Sequence, residues 1–273
     1  MLVEKIFNTG VVSINYAEGP SSGAPLVLLH GWTDRWQDWI PIIPTLSMRW
    51  HVYAPDFRGH GKSGRVPGRY RPEDCIDDVV VFLKKVVKEP AVVFGHSAGG
   101  VAAIMLGGQL PEMVRAIIVG DSPIDLAHHV NDVSKEEAIH NWAELRSLTG
   151  RPMNELLLLL KERYTGTRLR YAARTLSQVD PGVLEFHAEG RTQEFFAKVD
   201  MDALLRRISC PVLLLQGDPS RGGMLSDREV EHVKSTIPDV SSVMIQNEGH
   251  ALGMYTWNVT PLLRAVSNFL ESL

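Results

Sequence analysis

The sequence predicts an α/β protein with a mainly parallel sheet. Short apolar runs recur along the chain, helix-like segments separate them, and polar residues follow directly after several of the runs. Buried parallel strands are apolar on both faces, and parallel pairing requires a crossover that a helix commonly supplies. We therefore expect helices on both faces of the sheet and functional groups at the carboxyl ends of its strands.

Size and composition are those of an ordinary globular protein. The 273 residues are 44% hydrophobic and 22% charged, which argues against disorder and suits one large domain or a core with an insertion. The net charge of −4 gives no reason to expect a nucleic acid or an anionic membrane as partner. No signal-peptide pattern or membrane-length apolar run is present. Because Cys75 and Cys210 lie far apart, we expect reduced thiols in a cytoplasmic protein.

The first half of the chain alternates apolar runs with helix-like segments. The predicted strands span residues 2–7, 11–16, 25–30, 50–54, 91–94 and 114–120, and the predicted helices span residues 72–87 and 98–109. The helix at 72–87 has Pro72 in its first turn, acidic residues near its positive end and lysines near its negative end, which all favour a helix. The first two strands are expected to form a hairpin and the others to be buried.

The alternation stops between residues 122 and 207. Helix-like blocks replace it, at residues 135–148, 153–164, 168–177 and 192–198. The alternating order then resumes, with strands at 211–217 and 242–246 and helices that start near Ser226, which fits a capping box, and near Thr260. We therefore predict a core domain of residues 1–121 and 208–273 with an inserted helical cap of residues 122–207.

The segment Gly95-His96-Ser97-Ala98-Gly99 joins a predicted strand directly to a predicted helix. A serine on such a sharp turn is held in an exposed, strained position, and the two glycines remove side chains that would clash across the turn. The N-terminus of the new helix directs backbone N–H groups at the same place. These features predict that Ser97 is a nucleophile.

A serine hydroxyl needs a neighbouring base to act as a nucleophile at neutral pH. His250 follows a predicted strand and Gly249 near the C-terminus. An imidazole with an ordinary pKa of about 6.5 accepts and returns a proton near neutral pH. His250 is therefore the predicted base, whereas His60 and His96, which lie inside other motifs, are expected to brace loops.

Four short motifs follow one another along the chain: His30-Gly31-Trp32, Asp-Phe-Arg-Gly-His-Gly-Lys-Ser at residues 56–63, the segment 95–99, and Gly249-His250. In this order and spacing, from residue 25 to the last helix, the chain resembles the alpha/beta hydrolase family. The resemblance implies an α/β-hydrolase fold, a mainly parallel central sheet flanked by helices with an inserted helical cap. It also implies a Ser-His-acid triad that includes Ser97 and His250, and an oxyanion hole formed by the backbone N–H groups of Trp32 and Ala98.

The acid of this triad is left open between two aspartates. Members of the family most often carry it three residues beyond a glycine, on the loop after the penultimate strand, but that count from Gly217 reaches Ser220. Asp218 is the nearest carboxylate on that loop and is preferred. Other members carry the acid after the strand that follows the nucleophile helix, which here gives Asp121. Asp227 is a weaker option because it is expected in the first turn of the next helix.

The substrate pocket is expected beside the predicted nucleophile. We assign four residues of the motifs and their surroundings to its wall: His30, Gly31, Trp36 and His96. Trp39 is a further candidate, with a place in the core as the alternative. The loop that carries Asp56 and Arg58 is expected to be stabilised by these two residues rather than to bind phosphate.

The predicted function is that of a serine hydrolase that cleaves a carboxylic ester or lactone through an acyl-enzyme on Ser97. Relatives with the same triad include carbon–carbon bond hydrolases and cofactor-free perhydrolases, which remain alternatives. A carbon–carbon bond hydrolase needs a site for the carboxylate of its substrate, and four arginines of the predicted cap could form one. The preferred interpretation is that these arginines lie on a solvated helix face: Arg163, Arg168, Arg170 and Arg174. A small-molecule receptor of α/β-hydrolase type is the non-enzymatic alternative, which the presence of both Ser97 and His250 disfavours.

The sequence lacks the residues that several other kinds of enzyme or cofactor site require. The haloalkane dehalogenases and epoxide hydrolases of this family use aspartate at the position of Ser97. No cluster in the sequence has metal-ligand spacing, and the adjacent pair His128-His129 is a poor geometry for one ion. No glycine-rich nucleotide-binding motif is present. We therefore expect no cofactor, no metal, and a small-molecule ester or lactone as the substrate.

Overall fold

Eight strands form one sheet in the computed structural model, which describes residues 2–273. The strands are β1 (Val3–Asn8), β2 (Ser13–Glu18), β3 (Pro25–Leu29), β4 (His51–Pro55), β5 (Ala91–His96), β6 (Val114–Gly120), β7 (Val212–Gly217) and β8 (Val240–Ile245). Their order across the sheet is β1-β2-β4-β3-β5-β6-β7-β8. β1 and β2 pair antiparallel with their neighbours, and all the other pairs are parallel. The predicted α/β class with a mainly parallel sheet is confirmed.

From β3 onward the helices alternate with the strands, except in the segment between β6 and β7. They are α1 (Ile43–Leu46), α2 (Pro72–Phe82), α3 (Ala98–Gln109), α4 (Leu126–Val133), α5 (Glu136–Leu148), α6 (Met153–Leu160), α7 (Gly166–Ser177), α8 (Glu185–Ala188), α9 (Thr192–Phe195), α10 (Met201–Leu205), α11 (Asp227–Thr236) and α12 (Thr260–Glu271). The helix predicted at 72–87 has the predicted extent, but its last turn, Leu83–Val87, is a π-helix. No helix within residues 2–273 is long and apolar enough to cross a membrane.

The sheet buries a separate apolar core on each of its faces. Along β3 the side chains alternate, so Val27 and Leu29 pack with α2 and α3 on one face. Leu26 and Leu28 pack with α12 on the other face. This explains why the strand reads as a continuous apolar run. The two layers of helices fix the sheet and thereby the loops at the carboxyl ends of β3, β5, β6 and β7.

The segment between β6 and β7 is helical and contains α4 to α10. The sequence did not predict α4, α8 or α10, and the helix predicted at 192–198 is a single turn, α9. α4 begins after Asp125, whose carboxylate accepts a hydrogen bond from the N–H of His128 at 3.0 Å. This N-cap was missed because the helix that it opens is only eight residues long and buries only Leu126.

Candidate active site

Ser97 lies on the turn between β5 and α3, with φ = 54° and ψ = −122°. A side chain on Gly95 would place its Cβ 1.9 Å from the carbonyl oxygen of Gly99, and one on Gly99 would place its Cβ 2.0 Å from that of Leu29. Both contacts are impossible, so the tight turn requires glycine at both positions. The backbone N–H of Ser97 donates to the Gly120 carbonyl at 2.9 Å, which ties the turn to β6.

His250 is hydrogen-bonded to a buried carboxylate. Its Nδ1 lies 2.8 Å from Oδ2 of Asp121, a residue with no exposed surface. The Asp121 carboxylate also accepts the backbone N–H groups of Gly217 at 2.8 Å, Met224 at 2.8 Å and Leu225 at 3.1 Å. Burial by itself raises the pKa of Asp121, but the hydrogen bonds from His250 and the backbone outweigh it and hold the pKa below its usual value. The pair is therefore an ionised carboxylate facing the protonated Nδ1 of an imidazole.

The structure corrects the preferred choice for the partner of His250. The carboxylate of Asp218 accepts hydrogen bonds from Ser220, at 2.9 Å from its N–H and 2.6 Å from its hydroxyl, and from the Asn247 N–H at 3.3 Å. Asp218 thus caps a surface turn, and the preference for it as the residue that orients His250 was wrong. Asp121, the alternative, takes that place because it follows β6, which lies beside β5 in the centre of the sheet.

The loop after β3 passes against the predicted nucleophile. A Cβ on Gly31 would lie 3.3 Å from Cβ of Ser97, so this loop runs directly beside the serine. Thr33 has φ = 69°, which is strained for a β-branched residue, and its N–H is 3.3 Å from Nε2 of His60. Within residues 2–273 the N–H of Trp32 has no hydrogen-bond acceptor. The N–H of Ala98 begins α3, where no intrahelical acceptor exists.

Three buried histidines hold the surrounding loops. In His30, Nδ1 donates to the Gly31 carbonyl at 2.7 Å and Nε2 accepts the Phe57 N–H at 2.9 Å. Nε2 of His96 donates to the carbonyl of His250 at 2.8 Å, which anchors the backbone of the predicted base. Burial lowers the pKa of His60 to about 4, and burial together with the nearby His250 lowers that of His96 to about 3. These rings are neutral at pH 7 and serve as fixed hydrogen-bonding groups.

Ser97 and His250 line one cavity of about 370 Å³, which we call the inner cavity. His96 lines it as predicted, whereas His30, Gly31 and Trp36 do not. Both nitrogens of His30 are occupied by loop contacts, and the Trp36 indole N–H donates to Oε1 of Glu4 at 2.8 Å. Trp39 is in the core. Sequence reasoning missed the part of the wall that comes from the segment between β6 and β7: His129, Trp142, His187, Phe195 and Phe196.

A second space of about 540 Å³, the outer cavity, adjoins the inner one. Thr33, Asp34 and Tyr255 line both spaces and form what we call the neck. The Tyr255 hydroxyl donates to Oδ1 of Asp34 at 2.8 Å. Burial raises the pKa of Asp34 to about 6, although the hydrogen bond from Tyr255 opposes this shift. The neck is therefore a point where a carboxyl group titrates close to neutral pH.

The four arginines considered for a carboxylate site are not beside Ser97. Arg163 and Arg168 line the outer cavity, where Arg163 pairs with Glu144 at 2.6 Å and the guanidinium of Arg168 lies 5.3 Å from the ring centroid of Tyr164. Arg170 and Arg174 line neither cavity. Among residues 2–273, no group of three or more histidine, cysteine or acidic side chains is arranged to hold a metal ion.

The comparison with known proteins agrees with this architecture. The model of the alpha/beta hydrolase family matches residues 26–258. The chain belongs to the alpha/beta hydrolase family. The predicted fold family is thereby confirmed, and this α/β-hydrolase is an enzyme of the hydrolase class that acts on a small molecule.

One related sequence and two solved structures span nearly the whole of this α/β-hydrolase. A 2-(acetamidomethylene)succinate hydrolase from Mesorhizobium japonicum is 22% identical over 99% of this chain and 96% of its own. A crystal structure of E-2-(acetamidomethylene)succinate hydrolase has a TM-score of 0.79 at 19% identity, covering 99% of this chain and 100% of its own. A thermophilic esterase from Thermogutta terrifontis has a TM-score of 0.73 at 21% identity, covering 100% and 98%. At these identities the structural likeness shows the fold alone.

Proposed function

We propose that this α/β-hydrolase cleaves a carboxylic ester or lactone through an acyl-enzyme on Ser97. The observation that carries the proposal is the hydrogen bond of 2.8 Å between His250 and the buried Asp121, together with the position of His250 and Ser97 on one cavity. Because Nδ1 of His250 carries the proton that faces Asp121, Nε2 is the nitrogen available to act as a base. Ser97, His250 and Asp121 are the proposed triad.

The reaction would proceed in two halves. In the first, Nε2 of His250 removes the proton of the Ser97 hydroxyl as its oxygen attacks the acyl carbon, and the same proton then passes to the leaving alcohol oxygen. In the second, His250 removes a proton from water as the water oxygen attacks the acyl carbon; the bond from that carbon to Oγ of Ser97 then breaks, the acid leaves, and His250 returns the proton to Oγ. Asp121 stays ionised throughout and stabilises the imidazolium that forms in each half.

The oxyanion of each tetrahedral intermediate would be bound by the N–H groups of Trp32 and Ala98. The N–H of Ala98 opens α3, and the loop of Trp32 passes against Ser97 at Gly31. Each such donor contributes about 3 kcal/mol to the stability of the transition state. Residues 122–207 are the proposed cap, because the helices of this segment supply the wall of the inner cavity that faces away from the sheet.

The location of the arginines supports ester or lactone cleavage over carbon–carbon bond hydrolysis of a dioxo acid. The carboxylate of such an acid needs a cationic partner within the cavity that holds Ser97, and among residues 2–273 that cavity is lined by no arginine and no lysine. Arg163 and Arg168 line the outer cavity instead.

Perhydrolase activity would use the same triad with hydrogen peroxide in place of water, so it is tested by adding peroxide to the same assay.

The proposal is tested with Ser97→Ala. We expect the wild-type enzyme to hydrolyse p-nitrophenyl acetate and to be labelled covalently by a fluorophosphonate, and we expect Ser97→Ala to lose labelling and at least about a thousandfold in turnover. Ser235→Ala, which changes an exposed serine on α11, is the matched control. Labelling and turnover that persist in Ser97→Ala would refute the assignment, and a wild-type protein with neither would refute the proposed ester hydrolysis at Ser97.

A further inference from the structure

The inner cavity has an apolar and aromatic wall around Ser97. Phe57, Ile76 and Met105 line it from the core, and Trp142 and Phe195 line it from the proposed cap. Its lining residues, all within the described range 2–273, include no lysine and no arginine. A carboxylate that enters such a space loses its hydration and gains no cationic partner, which is unfavourable. An uncharged group avoids this cost.

His187 is the buried polar residue of the cap-side wall. It is 5% exposed, and its Nδ1 lies 2.9 Å from the hydroxyl of Thr192. The ring stacks on Trp142, with 5.0 Å between centroids, and lies 4.9 Å from the ring of Phe195. These contacts fix the imidazole plane and occupy Nδ1. Nε2, which has no hydrogen-bond partner among residues 2–273, is the nitrogen left for a ligand.

The imidazoles of this wall cannot replace an arginine. Burial lowers the pKa of His187 to about 4, and burial also lowers the pKa of His129, the second cap histidine on the wall. Both rings are uncharged at pH 7. The carboxyl group of Asp34 lies at the neck, and in its ionised fraction it repels an anion. The arginines that could attract one, Arg163 and Arg168, line the outer cavity.

We propose that the inner cavity selects an uncharged acyl group that carries a hydroxyl or carbonyl oxygen, and that His187 is the specificity-determining residue that hydrogen-bonds to this oxygen through Nε2. The leaving alcohol then lies toward the neck and the outer cavity, where charge is tolerated. This inference rests on the proposed ester or lactone hydrolysis at Ser97 and names the class of acyl group that the site accepts.

The test compares three p-nitrophenyl esters of nearly equal size: heptanoate, 6-hydroxyhexanoate and hydrogen adipate. We expect kcat/KM at pH 7 to be lower for hydrogen adipate than for 6-hydroxyhexanoate by about 100-fold. In His187→Phe the ratio of kcat/KM for 6-hydroxyhexanoate to that for heptanoate should fall about tenfold, mainly through KM. His128→Phe, which removes an exposed histidine of α4, should leave this ratio unchanged.

A binding measurement decides the inference without turnover. Ser97→Ala is titrated with the matching amides, heptanamide, 6-hydroxyhexanamide and adipamate, by isothermal calorimetry. We expect the hydroxy amide to bind more tightly than adipamate by about 100-fold, and this preference to shrink in Ser97→Ala/His187→Phe. Equal or tighter binding of adipamate, or a preference that His187→Phe does not change, would overturn the inference. Absence of ester turnover alongside the expected binding order would instead refute the proposed reaction.

Discussion

Nδ1 of His250 and Oδ2 of Asp121 lie 2.8 Å apart although 129 residues separate them in the chain. The same carboxylate binds three backbone N–H groups, those of Gly217, Met224 and Leu225. One aspartate at the end of β6 therefore both orients the imidazole and closes the loop after β7. This double role ties the position of the proposed base to the centre of the sheet.

Asp121→Asn is expected to lower kcat for ester hydrolysis by about 10⁴. An amide cannot stabilise the imidazolium, and it favours the wrong tautomer of His250. Asp218→Asn, which changes a carboxylate that caps a surface turn, is the matched control and should stay within a few-fold of the wild-type enzyme. Thermal unfolding separates loss of chemistry from loss of fold. A collapse of kcat in Asp218→Asn with normal activity in Asp121→Asn would reverse the assignment.

Gly99→Ala should prevent the turn at Ser97 from closing. The new Cβ would lie 2.0 Å from the backbone oxygen of Leu29, and a backbone atom in the sheet cannot move aside. We expect the free energy of unfolding to fall by more than about 2 kcal/mol, measured by urea denaturation. Gly19→Ala is the control, since its Cβ meets the movable Ser47 hydroxyl at 3.1 Å, and should cost less than about 1 kcal/mol. Equal costs for the two variants would contradict this account.

Arg58 and Asp78 form a buried ion pair that stabilises the loop after β4. Nε of Arg58 lies 2.6 Å from Oδ2 of Asp78, and the side chains are only 2% and 5% exposed. Arg58→Met leaves the carboxylate buried without its partner, so we expect a loss of about 3–5 kcal/mol in the free energy of unfolding. The double variant Arg58→Met/Asp78→Leu should recover part of this loss. A double variant whose loss equals the sum of the two single losses would show that the pair is not coupled.

The stability of His187→Phe should depend less on pH than that of the wild-type protein. The pKa of His187 is about 4 in the folded protein against an ordinary 6.5. Between these values the unfolded chain binds a proton that the folded chain excludes, so this residue makes the folded state less stable as the pH falls. Its removal should reduce the slope of unfolding free energy against pH by up to about 1.4 kcal/mol per pH unit.

Urea titrations at pH 5 and pH 7 measure this difference. Asp34, whose pKa burial raises to about 6, contributes a slope of the opposite sign, because its folded form retains a proton that the unfolded form releases. The comparison of variant with wild type cancels this contribution. His128→Phe controls for the loss of an exposed imidazole. Identical slopes for wild type and His187→Phe would show that His187 is not held neutral by burial.

The sequence predicted the central strands β3, β5, β6 and β7 well because they are nearly continuous apolar runs. β6 was predicted with the observed bounds, and β5 was predicted two residues too short because the strand continues into Gly95 and His96. The short helix α4 was missed because it spans only eight residues and buries just one of them, Leu126. Local sequence patterns therefore predicted the elements of the core more accurately than those of the helical segment between β6 and β7.

Within the site, the sequence singled out residues that lie in short glycine-containing motifs. It failed for residues whose place depends on how distant segments come together in the fold. Ser97 is recognisable because two glycines must flank its turn. The choice of Asp218 over Asp121 was wrong because loop counting cannot show which carboxylate points into the sheet. The sequence around Trp36 contains no signal that separates a pocket wall from a contact with Glu4. His187, the buried histidine on the wall contributed by the segment between β6 and β7, lies in no recognisable motif.

The attachment of His250 has a consequence for how this enzyme can diverge. Asp121 holds the ring of His250, and Nε2 of His96 holds its carbonyl at 2.8 Å. Both of these anchors come before His250 in the chain. Tyr255 and Trp257, which line the outer cavity, lie downstream of these anchors. Substitutions there change the wall of the outer cavity, and at Tyr255 the neck, without removing either anchor of His250, which makes this short stretch a natural target for laboratory evolution.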